Sequence, residues 1–155
     1  MTPERTCVII KPDAIHRNLL GEIIRRLENK GLKIVGMKMM EMKTALLEAH
    51  YAHHKDKPFF ESLKHYMQSS PVVVLALSGF NAIEAVRLIV GPTQGYKADA
   101  GSIRGDFSIS GQANIVHASD SQEGAEAEIR RFFSQDELFS YERINDTVIN
   151  SADER

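Results

Sequence analysis

Cysteine is almost missing. The single Cys7, inside TCVII, excludes an intrachain disulfide, and its expected role is small apolar packing in a reducing compartment. No apolar run is long enough to span a bilayer, and MTPERTCVII lacks the basic-then-apolar layout of a signal peptide. A cytoplasmic protein with no membrane role is therefore expected. An excess of one charge is also absent: 19 Lys and Arg stand against 21 Asp and Glu, a net charge of -2. That balance argues against a dedicated nucleic-acid binder but leaves room for a local basic pocket for a small anion. There is no GxxxxGK[ST] and no GxGxxG, so any nucleotide is bound without a P-loop or a Rossmann turn. No HExxH and no cysteine set marks a metal centre. No repeat, low-complexity tract or linker breaks the chain, so residues 1–155 are read as one domain.

What is present suits a real hydrophobic core: 155 residues, 43% apolar and 26% charged. TCVII reads as a buried strand stopped by Lys11-Pro12-Asp13. Leu20, Ile23, Ile24 and Leu27 repeat at helical spacing, with Gly31 after the last turn. Residues 32–42 look like a long strand whose alternation changes phase at Val35-Gly36, as a bulge requires. Thr44 is placed as the cap of a short helix through Leu47, His50 and Tyr51. A second helix is expected to start at Pro58, with Phe59, Phe60, Leu63 and Met67 apolar. PVVVLAL reads as a central strand. Asn81 is placed as the cap of a helix carrying Ala82, Val86, Ile89 and Val90, ended by Gly91-Pro92. Residues 93–113 show little periodicity, and a loop this long is often functional. Ile115-Val116 is a short strand and residues 122–133 a helix. The tail is polar, with Leu138, Phe139, Tyr141 and Ile144 as apolar anchors. This order suits a split β-α-β, ferredoxin-like sandwich; alternation alone leaves a small flavodoxin-like sheet as the competitor.

Three groups carry chemistry. His117 ends the strand in GQANIVHASDS, and a neutral imidazole, with a reference pKa of ~6.5, is a competent nucleophile or base. The following helix has Ala125, Ile129, Phe132 and Phe133 as its buried stripe. Glu128 falls on the border of that stripe, while Glu123 points away. A carboxylate there can accept a ring N–H and leave the other nitrogen free to attack. Ser119 and Gln122 are read as a capping box. Residue types alone leave His117 equally open to a structural role. The second group is basic: Lys11 at the end of the first strand, Arg87 on a helix flank and Arg104 in the long loop. Each can match phosphate oxygens, and spacing alone does not show that they converge. Gly101 and Gly105 around Arg104 read as backbone freedom, and Arg-Gly-Asp at 104–106 as an accidental tripeptide. The third is His50-Tyr51-Ala52-His53-His54, better read as a helix end with solvated histidines than as a metal site. Tyr51 and Phe59 can form a rim on which a flat ring stacks.

IIKPDAIHRNLLGEII, HYAHHKDKPFF, SIRGDF and NIVHASDS, in this order and spacing, resemble the nucleoside diphosphate kinase family over about residues 5–141. The resemblance implies a ferredoxin-like βαββαβ α+β fold, with a four-stranded antiparallel sheet and a long loop before the last strand. It implies that His117 takes the γ-phosphoryl group of a nucleoside triphosphate, typically ATP, and passes it from phosphohistidine to a nucleoside diphosphate. Glu128 then orients the imidazole and Ser119 assists. Lys11, Tyr51, Arg87, Thr93, Arg104 and Asn114 match positions that hold phosphates and sugar, and Phe59 matches the base-stacking aromatic. Mg2+ arrives with the nucleotide rather than in a protein cage. A homo-oligomer is implied, a hexamer favoured over a tetramer. The chain departs from the family's habit at Gly111-Gln112-Ala113, where a basic residue is lost, at Gly95 and Ala100, where prolines are frequent, and at His53, where Glu is frequent. None of these removes a group assigned to catalysis. The rival classes are a nucleotide-binding module without turnover, an assembly protein, and an RNA-binding sandwich, the last disfavoured by charge and by the lack of aromatic-rich strands.

Overall fold

The computed structural model describes residues 2–153. Strand β1 (Glu4–Ile10) is buried on both faces from Thr6 onward, which is why TCVII shows no polar alternation. Pro12 does not simply stop it. With its φ fixed and no N–H to satisfy, it opens a short helix, α1 (Pro12–His16). Helix α2 (Leu20–Asn29) turns Ile23 and Leu27 inward, and β2 (Lys33–Met40) follows, its register shifted between Ile34 and Gly36 where the phase change predicted a bulge. Next come α3 (Thr44–His50), a 3-10 turn at Ala52–His54, α4 (Phe60–Met67) and β3 (Val72–Gly79). Helix α5 (Ala82–Val90) leads into the long loop, which is less irregular than its composition suggests. It contains a 3-10 turn at Gly95–Lys97 and α6 (Ile103–Phe107). Strand β4 (Val116–Ala118), α7 (Gln122–Phe132), a 3-10 turn at Gln135–Glu137 and α8 (Asp146–Ile149) complete the order.

The sheet runs β2-β3-β1-β4, with every neighbouring pair antiparallel. This is the ferredoxin-like order, and it rules out the parallel flavodoxin-like alternative. Both faces are covered. On one, Val8, Ile10, Leu75 and Leu77 pack under α2, α5 and α6; on the other, Cys7, Ile9, Val74 and Ala76 pack under α3, α4 and α7. Each such buried Ile or Leu contributes about 1.5–3 kcal/mol. The pairing Ile9↔His117 puts His117 on the α7 face, while Val116 and Ala118 face the other core. A one-residue slip would turn the imidazole away from α7.

Several local expectations are corrected. Strand β4 starts at Val116 rather than Ile115, because Ile115 adopts φ 74°. Thr44 is the first helical residue of α3, not its cap, and its hydroxyl accepts from Gln68 Nε2 at 3.2 Å. Helix α4 begins at Phe60, two residues after Pro58, so Phe59 stands before the helix and is 43% exposed instead of joining its apolar face. Asn81 occupies the cap position of α5 in a left-handed conformation. It contributes its carbonyl, to the Ala85 N–H, and not its side chain. Ser121, not Ser119, caps α7 by accepting from the Gly124 N–H. The tail is held by polar contacts. Leu138 is partly buried, whereas Phe139, Tyr141 and Ile144 are exposed. The backbone of β2, an edge strand, supplies the acceptors: Val35 O takes the Phe139 N–H at 2.7 Å and Ile34 O takes the Tyr141 hydroxyl at 2.6 Å.

Candidate active site

Strand β4 and helix α7 assemble the centre of the site. Ala125, Ile129 and Phe132 bury one stripe of α7, which leaves Glu128 at its edge with a side chain 13% exposed. Both Glu128 carboxylate oxygens lie 2.9 Å from His117 Nε2. Ser119 lies fully buried beneath them. Its hydroxyl donates to Glu128 Oε2 at 2.7 Å, and its oxygen accepts from the Cys7 N–H at 3.2 Å. Burial alone would raise the Glu128 pKa, but the hydrogen bonds from His117 and Ser119 outweigh it and hold the carboxyl below its ordinary range. An ionised Glu128 accepts the Nε2–H, so the imidazole is held as the tautomer with a lone pair on Nδ1.

Above this group opens a cleft of about 820 Å³, lined by every residue expected to serve catalysis or nucleotide binding except the submerged Ser119. Lys11 is only 7% exposed; its Nζ donates to Asn114 Oδ1 at 2.6 Å and to Gln112 O at 3.4 Å. Burial pushes its pKa down to about 8, with the Arg104 charge adding to the shift and Asp13 opposing it. The Asn114 side chain is fixed from its other end, where Nδ2 donates to Thr93 O and Gly111 O, both at 2.9 Å. The residues at 111–113 thus serve the site through main-chain carbonyls of Gly111 and Gln112, which is why a change of side chain there leaves Lys11 and Asn114 in place. Thr93 itself is exposed, as is Arg87 on α5.

Arg104 is buried rather than displayed. Its guanidinium donates to Asn114 O at 3.2 Å, Gly91 O at 2.9 Å and Val116 O at 2.7 Å. Burial, with help from the Arg87 charge, lowers its pKa to about 10. This inward setting accounts for Arg-Gly-Asp at 104–106 and removes any adhesive role. Gly101 takes φ 96°, as read, but Gly105 is needed for space: a Cβ there would strike the Asp99 carbonyl.

The histidine cluster differs most from expectation. His50 is 6% exposed, not solvated, and its ring meets His117 edge-on with centroids 4.7 Å apart. Burial drives its pKa to about 3, so it is neutral. Ligand atoms of His50, His117 and Glu128 lie within 4.8 Å of one another, a spacing open to a metal ion. Arg131 Nη1, however, donates to His50 Nδ1 at 3.2 Å. That bond occupies the Nδ1 lone pair and leaves the proton on Nε2, so neither His50 nitrogen offers a free lone pair to a cation. Tyr51 is buried with its hydroxyl unpartnered among the described residues, and burial raises its pKa. Of Tyr51 and Phe59, Phe59 alone is exposed at the rim.

An imidazole with a fixed tautomer below a cluster of Lys and Arg is a setting for anionic phosphoryl groups. A family model for nucleoside diphosphate kinase matches residues 4–138. The chain belongs to that family. Among curated relatives, the nucleoside diphosphate kinase of Pyrococcus abyssi is 53% identical over 146 residues, covering 92% of each chain. That of Parabacteroides distasonis is 50% identical over 151 residues, covering 97% of this chain and 99% of the relative. Among solved structures, a halophilic nucleoside diphosphate kinase from Halobacterium salinarum in complex with CDP aligns with a TM-score of 0.94. It is 40% identical, over 97% of this chain and all of that one. No helix among the described residues is long and apolar enough to cross a membrane.

The family motifs bring Lys11, Tyr51, Phe59, Arg87, Thr93, Arg104, Asn114, His117 and Glu128 to one cleft, although they come from separate elements. Sequence reasoning named His50 but read it as solvated, and it missed Arg131. The signal was available for His50, three residues after the buried Leu47 on the same face of α3. Nothing local marks Arg131, whose partner on α3 lies 81 positions away in the chain.

Proposed function

We propose that this chain is a nucleoside diphosphate kinase that works by ping-pong transfer of a γ-phosphoryl group through His117. The observation that carries the reading is the Ser119–Glu128–His117 relay at the floor of a cationic cleft. Glu128 holds Nε2–H, so the Nδ1 lone pair attacks the γ-phosphorus of the triphosphate. An N–P bond forms, the bond from phosphorus to the bridging oxygen breaks, and its electron pair leaves with the diphosphate. In the return step a terminal oxygen of the acceptor diphosphate attacks the same phosphorus, and the N–P electrons return to Nδ1. Lys11, Arg87 and Arg104 neutralise the phosphate oxygens, with Asn114 positioning Lys11. Three N–H groups of Arg104 are already on carbonyls, so the remaining donors serve the nucleotide while the residue braces the loop. Tyr51 supplies a neutral hydroxyl, Thr93 a polar contact, and Phe59 an exposed face for any base.

The cleft's cationic lining suits phosphate oxygens and not a bare divalent ion, so Mg2+ belongs to the metal–nucleotide substrate and takes up part of its charge when bound. We infer that the whole chain works as one cytoplasmic domain and self-associates. Met37 and Met39, 50% and 58% exposed on the edge strand β2, support the second point, and native mass measurement checks it.

The decisive experiment incubates the protein with γ-labelled ATP and magnesium, then adds a different diphosphate. Acid-labile, base-stable label is expected on the parent and not on His117→Ala, and it should chase onto the diphosphate. Folded parent protein that binds nucleotide but takes no label would identify a binding module instead.

A further inference from the structure

Three non-glycine residues among those described have positive φ: Asn18, Asn81 and Ile115. Asparagine tolerates that region, but a β-branched residue there is an outlier. Ile115 is fully buried, at φ 74°, and the Val116 N–H donates back to Asn114 O at 2.8 Å. Asn114, Ile115 and Val116 therefore form a γ-turn, which does not persist unless its surroundings impose it. The turn sits at a sensitive place. Asn114 on one side fixes Lys11, and His117 follows two residues after its centre.

Both main-chain groups of Ile115 are taken by the start of α1. Asp13 Oδ2 accepts the Ile115 N–H at 3.1 Å, and the Lys11 N–H donates to Ile115 O at 2.9 Å. The other oxygen, Asp13 Oδ1, accepts from the Tyr66 hydroxyl on α4. Arg104 clamps the turn from outside, through Asn114 O and Val116 O. The strained turn is thus held at both main-chain groups of Ile115 and at the carbonyls on either side of it.

We propose that Asp13, oriented by Tyr66, is a positioning residue for phosphoryl transfer: it imposes the turn at Ile115 that sets His117 against Lys11 and Asn114. The inference rests on the kinase reading above. Asp13 does not line the cleft. It acts through the direction of β4, and small displacements of a nucleophile are costly because attack on phosphorus needs in-line geometry. The carboxylate's shape matters more than its charge. An asparagine can accept the Ile115 N–H through its oxygen and donate to the Tyr66 oxygen, whereas an alanine offers the turn nothing.

The test compares Asp13→Ala with Asp13→Asn by single-turnover phosphorylation of His117, with kcat and KM from steady state and amide exchange at Ile115. For Asp13→Ala the phosphorylation rate and kcat should fall at least about tenfold while KM changes less than about threefold. The Ile115 amide should lose its protection. Asp13→Asn should stay within about threefold of the parent in all three. A folded Asp13→Ala protein with parental single-turnover rates overturns the proposal. So does an Asn variant as slow as the Ala variant, since charge rather than the turn would then be at work. If Asp13→Ala does not fold, Tyr66→Phe replaces it. That variant frees one carboxylate oxygen and should slow kcat by about twofold to fivefold at constant KM, and a parental kcat refutes the orienting role. Parent enzyme that is never phosphorylated fails the kinase reading itself, a different result from parental rates in the variants.

Discussion

Glu128→Gln isolates the charge that holds the nucleophile's tautomer. The substitution keeps volume, and the site is partly buried, so the fold should survive. The amide cannot reproduce the hydrogen bonds, however. Both Glu128 oxygens lie 2.9 Å from His117 Nε2, and one also accepts from the Ser119 hydroxyl at 2.7 Å. With the amide oxygen kept toward Ser119, the amide N–H₂ meets the Nε2–H, donor against donor. The imidazole escapes by moving its proton to Nδ1, the atom that must attack. Exchanging a charge-assisted bond for this arrangement costs about 1.5–3 kcal/mol. At about 1.4 kcal/mol per factor of ten, phosphorylation should slow by roughly 10- to 100-fold. Nucleotide affinity should not change, since Phe59, Arg87 and Lys11 are untouched. The assay is rapid-quench phosphorylation with labelled ATP, paired with equilibrium titration of the diphosphate. An unchanged single-turnover rate would falsify the orienting role, and a loss confined to affinity would place Glu128 in substrate binding instead.

Other outcomes follow from the same geometry. Lys11 acts as an ammonium whose pKa in the free protein is about 8. Its charge is present below that pH and lost above it, so kcat/KM should decline as pH rises through about 8, by up to about tenfold per unit, while kcat holds to higher pH because bound phosphate retains the proton. A kcat/KM that stays flat to pH 10 sinks the role. Arg104→Lys leaves carbonyls of Asn114, Gly91 and Val116 short of donors. Stability should drop by about 3 kcal/mol, seen as a Tm lower by roughly 6–12 °C, and an unshifted Tm means these bonds are not structural supports. Phe59→Ala should raise KM for purine and pyrimidine nucleotides alike by roughly tenfold, because stacking hardly reads the base; a loss for one base only contradicts a sequence-blind face. Burial pushes the Cys7 thiol pKa well up, so a thiol reagent should label the folded protein only as fast as it unfolds.

The chain's patterning determined most of the elements and placed His117 and Glu128 as candidate reacting groups. Helical spacing in α7 puts Glu128 on the border of a buried stripe, because periodicity and burial are both properties of one helix. The phase change near Val35-Gly36 likewise predicted a real bulge. The motif blocks contained Lys11, Tyr51, Phe59, Arg104, Asn114 and His117, which line one cleft. Local errors came where a residue with capping chemistry found another partner. Thr44, Asn81 and Ser119 have capping chemistry, yet two of them spend their hydroxyls on Gln68 and Glu128, and Asn81 contributes a carbonyl. Tertiary structure alone decided the rest. It brought Arg131 to His50, made Arg104 a brace for main-chain carbonyls, and joined Asp13 to Tyr66 and Ile115. Those pairs are far apart in the chain, and a polar side chain's partner is set by which buried donor or acceptor lies within about 3 Å once the sheet has closed. No periodicity records that distance. For GQANIVHASDS, the sequence determined that a histidine would stand in a strand facing a carboxylate-bearing helix. Only the packed sheet decided that a strained isoleucine two residues earlier would aim it.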